Sequence, residues 1–91
     1  MNYIRVNWKH TFSSEPTSIY IEVDDGGWEQ RKVEVFPNGA MGYASKSRSA
    51  GGTGLSDERT SSLSEIAADP QFEPATISAE EFEELWRRAT M

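Results

Sequence analysis

The sequence predicts an α+β fold, a four-stranded antiparallel β-meander packed against one or two C-terminal helices. Three observations lead there. Apolar and polar residues alternate with the period of a strand through the first half of the chain. Tight-turn residues, Asp24-Asp25-Gly26-Gly27 and Pro37-Asn38-Gly39, separate the alternating runs. The last dozen residues carry an apolar stripe with helical period behind a serine cap.

In the first run, Ile4, Val6 and Trp8 alternate with Tyr3, Arg5, Asn7 and Lys9. Residues 10–17 contain Ser13, Ser14 and Pro16 and read as a loop, with Phe12 as an apolar anchor. In the second run, Ile19, Ile21 and Val23 face away from Tyr20 and Glu22. The Asp-Asp-Gly-Gly turn follows, where glycine accepts positive φ without steric cost. The third strand is expected from about Trp28 to Phe36, with Val33 and Val35 on one face and Lys32, Glu34 and Phe36 on the other. Pro37-Asn38-Gly39 then leads into a fourth strand, 40–44, carrying Met41 and Tyr43. The expected inner face is Ile4, Val6, Trp8, Ile19, Ile21, Val23, Val33, Val35, Met41 and Tyr43. Arg5, Glu22, Lys32 and Glu34 are expected outside, paired across strands in alternating sign.

This arrangement divides the single domain, 1–91, into a meander at 2–45, a mobile Gly/Ser-rich loop at 45–61 and a helical part at 62–90. The loop holds Gly51-Gly52-Thr53-Gly54. A short helix follows over 62–68, capped by Ser61 or Ser62 and stopped by Asp69-Pro70. Phe72 and Pro74 fall in a connection. The final helix starts at Ser78, with Glu81 completing a capping box and Ile77 stapling to Phe82. Phe82, Leu85, Trp86 and Ala89 form its stripe, to be laid on the inner face of the meander. Glu83–Arg87 and Glu84–Arg88 have the favourable i,i+4 order.

Ninety-one residues without cysteine exclude a disulfide framework, a thiolate metal site and a cysteine nucleophile. Three Trp, three Tyr and four Phe must supply much of the core. No apolar run is long enough to span a membrane, and no secretory signal opens the chain, so a cytoplasmic location is expected. The net charge is −6. Residues 1–50 hold six acids and six bases, and residues 51–91 hold nine acids and three bases. Such a distribution disfavours nucleic acid as a partner and favours a basic protein surface.

Catalytic chemistry finds no constellation. His10 is the one histidine and has no second imidazole or thiol beside it. Asp24 and Asp25 point apart in extended backbone and read as turn residues. The glycine cluster at 51–54 lacks the Lys-Ser/Thr of a phosphate loop. No Gly-x-Ser-x-Gly elbow is present. No catalytic residue, cofactor or metal is therefore expected. Two surfaces remain as candidates for partner binding. One is aromatic and mixed in charge: Tyr20, Trp28 and Arg31 with Asp24 and Asp25. The other is the acidic ridge of Glu80, Glu81 and Glu84.

Trp8-Lys9-His10, Glu15-Pro16, Trp28-Glu29, Arg31-Lys32-Val33-Glu34, Asn38-Gly39, Gly42-Tyr43-Ala44, Asp69-Pro70, Phe72-Glu73-Pro74 and Ile77-Ser78 resemble a family of short, uncharacterised bacterial proteins of unknown function. The resemblance covers nearly the whole chain and implies a free-standing domain of bacterial or phage origin. The expected function is protein binding, as an immunity-type or inhibitor protein that occupies a basic site on a toxin or host enzyme. The alternative is a small-molecule or nucleotide-binding module built on the basic and aromatic sheet face and the 45–54 loop. Either a monomer or a homodimer is compatible with the sequence.

Overall fold

The computed structural model describes Met1–Met91. Six strands and two helices follow one another: β1 (Asn2–Trp8), β2 (Ser18–Val23), β3 (Glu29–Val35), β4 (Met41–Ser45), β5 (Ser49–Ala50), α1 (Leu63–Ala67), β6 (Phe72–Thr76) and α2 (Ala79–Thr90). The strands form one antiparallel sheet in the order β5-β4-β3-β2-β1-β6. The expected meander is its centre, and the sheet has six strands rather than four.

The two extra strands sit at the edges. β5 lies within the segment expected as a Gly/Ser-rich loop and pairs Tyr43 with Ala50. β6 replaces the expected connection and pairs with the free edge of β1, Val6 opposite Pro74. Lys9 N–H donates to the Gln71 carbonyl and Ile77 N–H to the Tyr3 carbonyl, so the odd-numbered positions face β1. Pro74 therefore stands at an outward position, where its missing N–H removes a donor from the exposed edge.

Register corrects the expected inner face. Tyr20 pairs with Val33 and Ile21 with Lys32, so β2 and β3 present opposite parities to each side of the sheet. Ile4, Val6, Trp8, Ile19, Ile21 and Val23 share one face. Val33, Val35, Met41 and Tyr43 lie on the other, with Tyr3, Arg5, Tyr20 and Glu22. Of the four residues expected outside, Lys32 and Glu34 instead join the isoleucines. Each face is thus apolar on one half and polar on the other. A bulge between Glu22 and Val23 in the β2–β3 pairing then turns Glu29 to the same side as Lys32.

Each half has its own cover. On the first face, Leu63 and Ile66 of α1 pack on Ile4, Val6, Ile21 and Val23. The polar half is covered by the chain between β5 and α1. Thr53 is buried and its hydroxyl donates to Glu34 Oε1 at 2.7 Å. Lys32 Nζ donates to the Gly54 carbonyl at 3.2 Å, and Ser56 N–H to Glu29 Oε1 at 2.7 Å. These side chains satisfy backbone that has no ladder of its own. On the second face α2 crosses β1 to β4, with Phe82 fully buried. The stripe of α2 therefore rests on the Tyr3–Val33–Tyr43 side, not on the isoleucine face as expected.

The local signals hold where they are purely local. Ser62 and Glu65 form a complete capping box on α1. Ser78 accepts from Glu81 N–H on α2, but the Glu81 side chain does not return the bond, so the expected capping box is only half formed. Gly27 and Gly39 take φ of 85° and 87° in the two predicted turns. Glu83 does not pair with Arg87. It turns to the sheet, and Arg87 pairs with Glu84.

Gly42 is buried beneath the Thr53 hydroxyl, where a Cβ would overlap that oxygen. Gly42→Ala should lower the unfolding free energy by about 1–3 kcal/mol, read by urea denaturation. An unchanged midpoint would show that the 51–56 segment does not stay on the sheet.

Candidate functional site

Antiparallel pairing sets Tyr3, Glu22 and Arg31 side by side across three strands. Glu22 is buried, and its carboxylate is fully engaged. Tyr3 Oη donates to Oε2 at 2.9 Å, Arg31 Nε to Oε1 at 2.8 Å and Arg31 Nη2 to Oε2 at 2.7 Å. The same guanidinium reaches Glu83 on α2, through Nη1 at 2.9 Å and Nη2 at 2.6 Å. Its Cζ lies 5.0 Å from the centre of the Phe82 ring and 5.1 Å from that of Trp86. Trp86 in turn meets the Tyr43 ring edge-on at 5.5 Å. Two bidentate carboxylates and two aromatic faces thus hold one cation, a geometry that arginine supports and lysine does not.

The hydrogen bonds from Arg31 hold Glu22 and Glu83 below the ordinary glutamate value of 4.5. The bond to Glu22 raises the Tyr3 phenol. Arg31 is raised by Glu22 and then by Glu83, so it stays charged. The cluster is a structural clamp between helix and sheet.

This disposes the sequence-predicted partner residues differently from one another. Arg31 is inside the clamp, with a side chain 21% exposed. Tyr20 lies on the same face, half-buried opposite Arg5 and Val33. Asp24 Oδ1 accepts from the N–H groups of Gly26 and Trp28, so it shapes the turn. Asp25 is exposed beside it and lines, with Asp24 and Thr60, a recess of about 280 Å³. Trp28 is 41% exposed, with Arg59 over its ring at 5.5 Å. Glu80, Glu81 and Glu84 are exposed on α2. Glu80 and Glu84 border a depression of about 660 Å³ whose lining residues all come from that helix, so it has no opposing wall. The structure does not bring the two candidate surfaces into one site.

A different concavity has walls. On the isoleucine face, α1 and the Gly51-Gly52 turn stand apart and leave the sheet open between them. One hollow of about 330 Å³ is lined by Val6, Ile19, Ile21, Ile66 and Phe72, with Glu65 and Asp69 at its side. A second, of about 370 Å³, shares Ile19 and continues past Trp8, Phe36, Glu15 and Glu34 to Gly51 and Gly52. The two hollows adjoin at Ile19; the first has a mainly apolar floor and the second is mainly polar. Aromatic rings extend this groove outward. Phe72 to Trp8 is 5.8 Å, Trp8 to His10 4.5 Å and His10 to Phe12 5.6 Å between centroids, with Phe12 62% exposed. His10 itself fixes the loop: one ring nitrogen bonds the Pro16 carbonyl and the other accepts from Phe12 N–H.

No sequence signal marks this groove, because Ile19, Ile66 and Phe72 are distant in the chain and each resembles ordinary core. No group of three or more His, Asp or Glu side chains is placed to hold a metal ion. No helix is long and apolar enough to cross a membrane.

The chain folds as a small α+β domain, an open six-stranded antiparallel sheet with one helix on each face. A family model described as a domain of unknown function (DUF6881) matches residues 2–91, and the chain belongs to that family. Neither the curated proteins nor the solved structures contain a significant match.

Arg31→Met should cost about 3–5 kcal/mol in a denaturant titration, since it leaves Glu22 buried without its cation. Glu83→Gln should cost at most about 1 kcal/mol, because Glu83 is exposed. Equal losses would contradict the clamp. Folding also lowers the pKa of both glutamates, so the folded chain releases their protons more readily than the unfolded chain. The clamp's contribution is complete above the ordinary value of 4.5 and is lost as pH falls below it through the folded values. Melting temperature should drop across that acid range in the wild type, and less steeply in Arg31→Met.

Proposed function

We propose that the protein is a non-enzymatic binding module that occupies a basic site on a protein partner, in the manner of an inhibitor or immunity protein. The observation that carries this reading is the division of charge between inside and outside. Arg31 and Lys32, with side chains 21% and 13% exposed, are consumed by Glu22, Glu83 and Glu29. Exposed carboxylates at Glu15, Asp25, Asp57, Glu58, Glu65, Glu80 and Glu81 form no ion pair within the chain. Lys46, Arg48, Arg59 and Arg88 are also exposed without an ion pair, but the net charge of −6 keeps the overall field negative, which accelerates encounter with a cationic surface and disfavours anionic partners. The engaged state of Arg31 and Lys32 also weakens the alternative of a phosphate or nucleotide ligand on the sheet.

Affinity capture with the tagged protein at low salt, followed by reconstitution from purified components, tests the reading. The expected result is a stoichiometric partner with a basic surface, whose association rate falls by about tenfold or more between low and physiological ionic strength. A captured partner that is acidic at the interface, or an association insensitive to salt, would overturn it.

A further inference from the structure

We propose that the groove between α1 and the Gly51-Gly52 turn is the docking site for a partner segment that carries an apolar side chain flanked by Lys or Arg. The inference rests on the basic-partner reading above and locates it. The floor argues for the apolar part. Ile19, Ile66 and Phe72 pack against the core cluster yet remain only partly buried, so water still reaches side chains whose neighbours are inside. The hollow beside them is lined mainly by apolar residues. An inserted aliphatic or aromatic side chain would complete their burial, and the Phe72–Trp8–His10–Phe12 rings offer a continuous apolar shelf beyond it.

Charge complementarity argues for the flanking cations. Glu65 and Asp69 stand on the α1 side, and Glu15 and Glu34 at the far end. Three of these are held in place by neutral donors. Ser62 bonds Glu65, Gln71 bonds Asp69 and Thr53 bonds Glu34. None of the four forms an ion pair, and no Lys or Arg lines either hollow. The carboxylates are thus oriented but not neutralised, which is the arrangement that a Lys or Arg beside an apolar anchor would complete. A second copy of this chain is a poor occupant, since each copy carries a net charge of −6. An anionic membrane surface is disfavoured for the same reason.

The test uses three short synthetic peptides, alternating Lys with Leu, Lys with Ser, and Asp with Leu, titrated at low salt into the isotope-labelled full chain. The Lys/Leu peptide is expected to shift the amide signals of Ile19, Ile66 and Phe72. Glu65→Gln with Asp69→Asn retains side-chain acceptor oxygens for the local hydrogen bonds, and should weaken that peptide about tenfold or more while the melting temperature stays near wild type. Glu80→Gln with Glu81→Gln should leave it unchanged. Equal binding of the Lys/Ser or Asp/Leu peptide would overturn the groove proposal. So would shifts confined to α2 that vanish in the Glu80/Glu81 variant, although the basic-partner reading would then survive. Absence of binding by either lysine peptide at any site would overturn both. Sedimentation showing a dimer that covers Ile19 and Ile66 would overturn the groove proposal alone.

Discussion

A buried carboxylate needs a cation, and the way Glu22 obtains one organises this fold. Removing Glu22 from water without compensation would cost several kcal/mol, a large part of the stability of any small domain. Arg31 lies directly opposite on the neighbouring strand and supplies two hydrogen bonds. Its remaining donors then point outward from the sheet, where Glu83 meets them, and its flat face meets Phe82 and Trp86. Helix α2 is a short helix that would be marginal in isolation. The clamp and the apolar stripe together give it one place and one orientation on the sheet.

The same logic of partial polarity governs the other face. Lys32 and Glu34 point toward the side that holds Ile19 and Ile21, which would be unfavourable under an apolar helix. A segment of irregular chain covers them instead. Its backbone and Thr53 have hydrogen bonds to offer, and Glu29, Lys32 and Glu34 take them up. Helix α1 then needs to cover only the apolar half. The helical cover and the Gly51-Gly52 turn line different hollows, and these adjoin at Ile19. These networks hold two bases and three acids, so most of the net charge of −6 remains on the other side chains.

Much of the local structure is legible in the residues themselves. Asp24–Gly27, Asn38-Gly39, Ser62 with Glu65, and Ser78 each act through atoms a few positions away, and each does what its type implies. The edge strands are less legible. Phe72–Thr76 has a proline in its middle and no long alternation, and it becomes β6 because β1 has an unpaired edge to receive it. Arg31 looks like a surface cation in sequence. Its role follows from Glu22 and Glu83, nine and fifty-two positions away.

What the sequence determined by itself was the α+β class, the four central strands, both helices with their serine caps, and the acidic balance. These depend on periodicity, short-range hydrogen bonds and counted charge. Only the tertiary structure decided which alternating face of each strand joined which core, that α2 covers the tyrosine side, and that a groove rimmed by carboxylates stays open. The physical reason is parity. Side chains in a strand alternate strictly, so a register offset of one residue between β2 and β3 exchanges the two faces. No residue taken alone carries that information, because it resides in the pairing.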